Sequence, residues 1–345
     1  MKKRVLHVLS SNDFAGAENV AISIISNLSD SYEFRYASPF GGIHENLLER
    51  GVTYAPMKKL SFFELRKVIR NWNPDIIHAH DFTATLLCLV TGFNKPVISH
   101  IHQNPDWLQS INKYSILFFL ACLKIKELIV VSPVIKETTF LSNFFNKKCK
   151  VIKNIVDINW IKKNSLNPTG NTYDIAFIGR FEEIKDPLRF INIISQLVLD
   201  FPTLRVLMMG GGNLEKKCSE VINEKKLSDI IELKGFLLNP YPYIRNSKIL
   251  VMTSKSEGLP MIAMEALAIG RPVVVSNLKG IENIIDSSCG FICNSDSEFI
   301  ENIGTLLRSE GEYMKMSAES TKKATKICNM DEYRKQLKMV YNSVI

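Results

Sequence analysis

Short runs that are apolar from end to end alternate with longer amphipathic stretches along most of the chain, and no other feature restricts its fold as much. A strand that is apolar on both faces needs cover on both faces, and intervening amphipathic helices supply it in parallel, doubly wound sheets. The strand candidates of the first half are Arg4–Ser10, Glu33–Ser38, Asp75–Ala79, Pro96–Ser99, Glu127–Val131 and Lys150–Lys153. Those of the second half are Tyr173–Ile178, Leu204–Met209, Ile230–Lys234, Ile249–Thr253 and Pro272–Val275. Helical spacing falls between most of them, as at Ala17–Leu28, Phe62–Asn71, Pro133–Ser142 and Pro187–Leu199. The Asn- and Lys-rich stretch Asn154–Asn171, with Pro168 and Gly170, marks a linker after which the alternation restarts. Two α/β domains follow, 1–165 and 166–330, with a final helix at about 331–345 expected to pack back on the first. At 345 residues the chain is long enough for two cores.

Apolar residues at 46% and charged residues at 23% exclude a disordered or collagen-like chain. The longest apolar run, Ile116–Leu123, is far short of the ~20 residues of a membrane-spanning helix. The opening MKKRVLHVLSSNDF is interrupted by His7 and Ser10–Asp13, so it reads as a first strand rather than a signal peptide. Seven scattered cysteines make no disulfide framework, and Cys289 and Cys293 have no second pair to complete a zinc site. Buried, reduced thiols in a cytoplasmic protein are the expectation. The net charge of +8 lies wholly in residues 1–165, which hold 21 Lys and Arg against 13 Asp and Glu, while residues 166–345 hold 22 of each. Anionic partners are therefore sought on the first half. Its basic residues are dispersed and not interleaved with aromatic ones on one sheet, so nucleic acid is not among them.

Three glycine-bearing turns follow strands and precede helices: Ser11–Glu18 with Gly16, then Ile178-Gly179-Arg180 followed by Lys185, then Gly210-Gly211-Gly212. Such a turn lets backbone N–H groups approach a phosphate at the positive end of a helix. None fits GxGxxG with an acidic residue ~20 positions on, and there is no P-loop. Arg180 and Lys185 single out the second turn, since a guanidinium and an ammonium beside a helix start neutralise a diphosphate. The densest constellation is SKSEGLPMIAMEALAIGRP, residues 254–272. Glu257 sits in the polar turn after a strand, Pro260 is expected at the first helical position, and Gly270 ends the helix. Glu265 falls within an otherwise apolar helix, where a carboxylate is costly unless it is paired or receives hydroxyl donors. Two carboxylates at a helix start that also attracts phosphate suit a nucleotide sugar.

The spacing Glu257-x7-Glu265, together with Gly179-Arg180, Lys185, Gly210, Gly212 and Lys153-Asn154-Ile-Val-Asp157, resembles the signature of the retaining GT-B glycosyltransferases of family 4. In the first half Gly16-Ala-Glu18, Asp75-Ile-Ile-His78-Ala-His80 and Val131-Ser132 follow the same family's landmarks in order, so the resemblance runs from residue 5 to about 295. It implies the GT-B fold: two Rossmann-like domains facing a cleft, the first for the acceptor and the second for the nucleotide-sugar donor. It implies that Arg180 and Lys185 bind the diphosphate, helped by the backbone of Ala15, Gly16, Gly179, Gly210, Gly212, Gly258, Leu259 and Pro260. It further implies that Glu265 accepts the ribose hydroxyls, Glu257 contacts the transferred sugar, and His102 lines the sugar site. The donor would be a UDP- or GDP-sugar, and neither a metal nor a protein nucleophile is implied.

Cleavage of the anomeric C–O bond leaves an oxocarbenium-like sugar and a diphosphate gaining charge, which cationic side chains and a helix dipole stabilise without a metal. A nucleotide-sugar epimerase of the same fold is the alternative. A further one is a metal-dependent hydrolase using His78-Ala-His80 and His100-Ile-His102, pairs that share one face of a strand. Against the hydrolase, no histidine follows residue 102. On the acceptor side, Tyr114–Lys126 is apolar with lysines at its end, so it is either a packed helix or a surface resting on an anionic leaflet. The combined expectation is a cytoplasmic enzyme, peripheral on the membrane, acting on a glycan or lipid-diphosphate-linked acceptor in cell-surface polysaccharide synthesis.

Overall fold

The computed structural model describes all residues except 1, 14–15, 93, 104, 139–147, 168–169, 258 and 345. They form two compact units, one of residues 1–154 and 330–345, the other of residues 155–329. The sequence division falls at 165/166, whereas residues 155–165 lie in the second unit. The linker stretch contains a helix, Ile158–Asn164, which Asp157 caps by accepting the Trp160 N–H at 2.9 Å. This helix packs on Tyr241–Arg245 and Met261–Ala268, which ties it to the second unit.

The first unit is built on a seven-stranded parallel sheet. In chain order its strands are β1 (Lys3–Val8), β2 (Tyr32–Pro39), β3 (Tyr54–Met57), β4 (Ile76–Ala79), β5 (Val97–Ile101), β6 (Glu127–Val130) and β7 (Cys149–Val151). They lie in the spatial order β3-β2-β1-β4-β5-β6-β7. The second unit continues with β8 (Tyr173–Ile178), β9 (Val206–Met209), β10 (Ile231–Leu233), β11 (Ser247–Met252), β12 (Val273–Ser276) and β13 (Gly290–Cys293), ordered β10-β9-β8-β11-β12-β13. Every pairing among the described residues is parallel. In both sheets the strand order reverses once, beside the first strand: between β1 and β4, and between β8 and β11. Open α/β sheets bind ligands at the carboxyl ends of the strands flanking such a switch point.

Each sheet has its own core, one around Leu6, Ile77, Phe118 and Val130, the other around Phe177, Phe190, Val251 and Phe299. Burial on both faces explains the unbroken apolar runs, as in β12, where Val273, Val274 and Val275 are all buried. Two strands escape the sequence reading. β3 (YAPM) is a four-residue edge strand carrying Pro56, and β13 (GFIC) opens on Gly290; both glycine and proline argue against a strand taken alone. The helix expected at Pro133–Ser142 is described only as Pro133–Thr138, and the remainder falls outside the described residues. The final helix, Met330–Ser343, belongs to the first unit: Tyr32 Oη donates to Asn342 Oδ1 at 3.1 Å, and Arg334 pairs with Asp30 at 2.6 Å. All seven cysteines are free and buried, and burial raises their thiol pKa values.

Candidate functional site

The carboxyl ends of β8 and β11, adjacent at the switch point of the second sheet, carry most of the residues singled out above. β8 ends at Ile178 and passes into Gly179 and Arg180; Lys185 and Asp186 then lead into the helix Pro187–Asp200. Asp186 caps that helix from a left-handed conformation (φ 49°), its carboxylate accepting the Arg189 N–H. β11 ends at Met252 and passes through Thr253 and Ser254 to Glu257. Thr253 Oγ1 donates to the Asp186 carbonyl at 2.8 Å, and Lys255 N–H donates to the Ile184 carbonyl at 2.8 Å, so the two loops are laced together by backbone.

That lacing brings Lys185 Nζ to 2.5 Å from Glu257 Oε1, and the same oxygen accepts the Ser254 hydroxyl at 2.7 Å. Only 22% of the lysine side chain and 11% of the glutamate side chain are exposed. An ion pair so shielded is fixed in direction, and the ammonium keeps two further donors for an anion. Arg180 is placed otherwise. Its side chain is 55% exposed and pairs with Glu182 at 3.0 Å, not with the Lys185–Glu257 pair.

The helix Met261–Ala268 follows, with Pro260 as its N-cap rather than at its first turn. Pro260 supplies its carbonyl to Ala263 N–H (3.1 Å) and Met264 N–H (3.4 Å), while Leu259 accepts Met261 N–H at 2.9 Å. Ile269 caps the end of the helix, and Gly270 follows in a left-handed conformation (φ +78°) that favours glycine. Glu265 is buried, with 6% exposed, as its place in an apolar helix implies. Gly258 and Ala15 lie outside the described residues.

The second and third glycine turns form one structure. Gly179 N–H donates to the Met209 carbonyl at 3.0 Å and Phe181 N–H to the Gly211 carbonyl at 2.9 Å, so the ends of β8 and β9 run in contact. A Cβ at Gly210 (φ +145°) would lie 1.9 Å from the Gly179 carbonyl oxygen, and one at Gly212 (φ +151°) 2.6 Å from the Phe181 carbonyl oxygen. Close backbone approach therefore demands glycine at both positions. Among the described residues, chain neighbours aside, nothing lies within 4 Å of a Cβ built at Gly179, nor at Gly16, which opens the helix Gly16–Leu28 of the first unit.

His102 belongs to the first unit, just past β5, and stacks on His100 with ring centroids 4.1 Å apart. Around it the fold assembles five of the six histidines. His7 of β1 and His78 of β4 are register partners, and His80, His100 and His102 complete a column of stacked rings. Burial lowers the pKa of His7 and of His102 to about 3, and burial followed by the neighbouring imidazoles lowers those of His78, His80 and His100. The i,i+2 spacing reveals each pair; the involvement of His7 depends on a parallel register 71 residues long, which no local pattern carries. The site residues that sequence reasoning missed, Ser254 and Thr253, are ordinary strand-end hydroxyls whose signal is only their place beside Glu257.

Comparison with known proteins identifies the family and the fold. Residues 158–324 match the family described as glycosyl transferases group 1, and residues 16–160 match glycosyltransferase family 4. The capsular polysaccharide biosynthesis glycosyltransferase CapH of Staphylococcus aureus is 27% identical over 80% of this chain and 82% of its own length. An uncharacterized glycosyltransferase of Haemophilus influenzae is 22% identical over 93% of this chain and 94% of its own. Among solved structures, Anabaena Alr3699/HepE in complex with UDP and glucose superimposes with a TM-score of 0.85 at 17% identity, covering 99% of this chain and 100% of that one.

Proposed function

The chain belongs to the family 4 (group 1) glycosyltransferases of GT-B fold, and we propose that it carries out a retaining sugar transfer. The donor is a nucleoside-diphosphate sugar, UDP- or GDP-linked. The acceptor is a glycan or a lipid-diphosphate-linked saccharide in cell-surface polysaccharide synthesis, a reading that the name of the Staphylococcus aureus relative supports.

One observation carries the reading: the shielded Lys185–Glu257 pair at the switch point between β8 and β11. A fixed ammonium there faces a diphosphate, with the open space at Gly179 allowing phosphate oxygens close to backbone. As the anomeric C–O bond breaks, charge grows on the departing diphosphate, and Lys185, Arg180 and the amino end of the helix Met261–Ala268 stabilise it. Pairing with Glu182 leaves Arg180 exposed enough to swing onto a ligand. Glu257, held by Lys185 and Ser254, takes the sugar hydroxyls, and Glu265 takes those of the ribose. His102 and Gly16, on the first unit, are assigned to the donor's sugar and diphosphate by the family resemblance. No step calls for a bound metal. The hydrolase alternative loses to family membership; the epimerase alternative differs in yielding product from the donor alone.

The exposed face of the helix Lys113–Lys124 supports an anionic membrane surface as partner. Phe118, Ala121 and Cys122 pack inward, whereas Tyr114, Ile116, Leu117, Leu120 and Leu123 are exposed, with Lys113 and Lys124 at the two ends. No helix among the described residues is long and apolar enough to cross a membrane.

The test is binding, then stereochemistry. UDP or GDP raises the melting temperature of the wild type, and Glu265→Ala removes that shift while retaining a response to pyrophosphate. Proton NMR of the product should then show the donor's anomeric configuration retained; inversion would rule out the retaining mechanism.

A further inference from the structure

The column of histidines in the first unit contains more nitrogen than the protein satisfies. Hydrogen bonds run from His102 Nε2 to His80 Nδ1 (3.0 Å), from His80 Nε2 to His7 Nδ1 (2.7 Å), from His7 Nε2 to Tyr341 Oη (3.3 Å) and from Tyr341 Oη to His78 Nδ1 (2.9 Å). Neutral imidazoles each bring one donor and one acceptor, and within this chain both nitrogens of His80 and of His7 are used. The bare ends are His102 Nδ1 and His78 Nε2. His100 stands apart: it is fully buried and neither of its nitrogens has a partner among the described residues. A buried polar group left unpaired costs about 1–3 kcal/mol, and two on one ring call for an explanation.

We propose that His80, His100 and His102 form a binding site for one divalent transition-metal cation of the zinc type. Each of the three offers a ring nitrogen within 4.8 Å of one on each of the others. A tetrahedral ion with Zn–N bonds of about 2.0–2.1 Å separates its ligand nitrogens by about 3.3 Å. The 3.0 Å between His80 Nδ1 and His102 Nε2 is close to that spacing, and the unpartnered His100 ring offers the third nitrogen. The neighbouring triad His7–His78–His80 is less suitable, because the facing nitrogens of His7 and His80 sit at 2.7 Å, well inside the spacing of two ligands on one ion. Proton bookkeeping closes without loss. With the His80 proton on Nε2 facing His7, the proton between His80 and His102 is that of His102 Nε2; it moves to the bare His102 Nδ1 as the ion takes the two facing nitrogens, so both rings stay neutral.

Three further features suit the site to a metal. Burial keeps these rings unprotonated at neutral pH, so protons do not compete for the lone pairs. The bond from His80 to His7 is the outer contact that ligating imidazoles ordinarily have. His102 is only partly buried, which gives the ion a way in. Three neutral imidazoles leave the fourth position to an exchangeable ligand, as in open zinc sites.

Full-length protein without a polyhistidine tag, stripped with EDTA, is titrated with zinc by calorimetry and examined by zinc-edge X-ray absorption. The expected result is one zinc per chain, a Kd below about 1 μM, and three nitrogen neighbours at about 2.0–2.1 Å. His100→Gln should weaken binding at least tenfold, with circular dichroism checking its fold, while His44→Gln, outside the column, leaves it unchanged. Should His100→Gln not fold, the absorption spectrum of the wild type decides by itself. Absence of saturable binding, sulfur neighbours pointing to cysteines, or unaltered affinity in a folded His100→Gln would each overturn the site. Because none of these measurements involves nucleotide or turnover, the result stands apart from that of the donor-site test.

Discussion

Lys185 and Glu257, 72 residues apart in sequence, share a 2.5 Å ion pair that joins the loops after two adjacent strands. Removing one partner leaves the other charged and shielded from water. Lys185→Met should therefore destabilise the second unit by about 1–3 kcal/mol, less than the 3–5 kcal/mol of a wholly buried pair because some solvent reaches the lysine. It should also weaken UDP or GDP at least tenfold. Glu257→Gln, which keeps the shape, should lose turnover far more than nucleotide affinity. Urea unfolding and calorimetry check both, and Lys185→Met binding nucleotide as tightly as wild type would remove the lysine from its role.

Gly179 and Gly210 face each other across β8 and β9, and they should respond oppositely to an added methyl group. Gly210→Ala places a Cβ against a carbonyl oxygen in a backbone region closed to alanine, which should cost about 2–4 kcal/mol. Gly179→Ala meets no non-neighbouring atom of the described residues within 4 Å and should leave the melting curve within about 0.5 kcal/mol of wild type while reducing diphosphate affinity. Normal nucleotide binding by Gly179→Ala would show that phosphate does not approach there.

The Asp286–Lys323 pair sets a measurable acid response in the second unit. The Lys323 ammonium, then Ser288, hold the Asp286 carboxyl down at about 2, against ~3.9 in an unfolded chain. A depressed carboxyl stabilises the fold fully above its unfolded value, and that contribution disappears as pH falls from about 4 to 2. The aspartate side chain is 46% exposed, so screening limits the effect to no more than about 1 kcal/mol. Lys323→Met should thus be less stable than wild type at pH 6 and equal to it near pH 2. An identical deficit at both pH values would mean that the lysine acts through packing.

The exposed face of the helix Lys113–Lys124 yields a prediction about surfaces. Wild-type protein should float with anionic vesicles at low salt, and the double substitution Leu117→Gln, Leu120→Gln should abolish flotation without lowering the melting temperature. Flotation unaffected by the substitutions would assign membrane contact to another part of the chain.

What could be read from the sequence divides along the range of the interactions. β8 was legible residue for residue because Tyr173–Ile178 is apolar except for Asp174 and mostly buried, and Glu257-x7-Glu265 was legible because a strand end, a turn and a helix are all local. Pairings fixed by sheet register were not. Neither Lys185 with Glu257 nor His7 with His78 leaves a mark on the neighbouring sequence, since each depends on which strands become neighbours. β3 and β13 were hidden for a different reason: each is short and carries a residue that argues against a strand, Pro56 or Gly290, and both lie at a sheet edge where such a residue is tolerated. Arg180 shows the converse, a motif residue whose static contact, with Glu182, is not one that the motif implies.

Tyr341 reaches both His7 and His78 from the last helix of the chain. A nascent chain therefore carries every residue of its second unit before it has the piece that finishes the first. Until those closing residues emerge, the seven-stranded half must wait with Tyr32 and the imidazoles of its opening strands uncovered. Deleting residues 330–345 would damage the unit encoded earliest and spare the unit of residues 155–329.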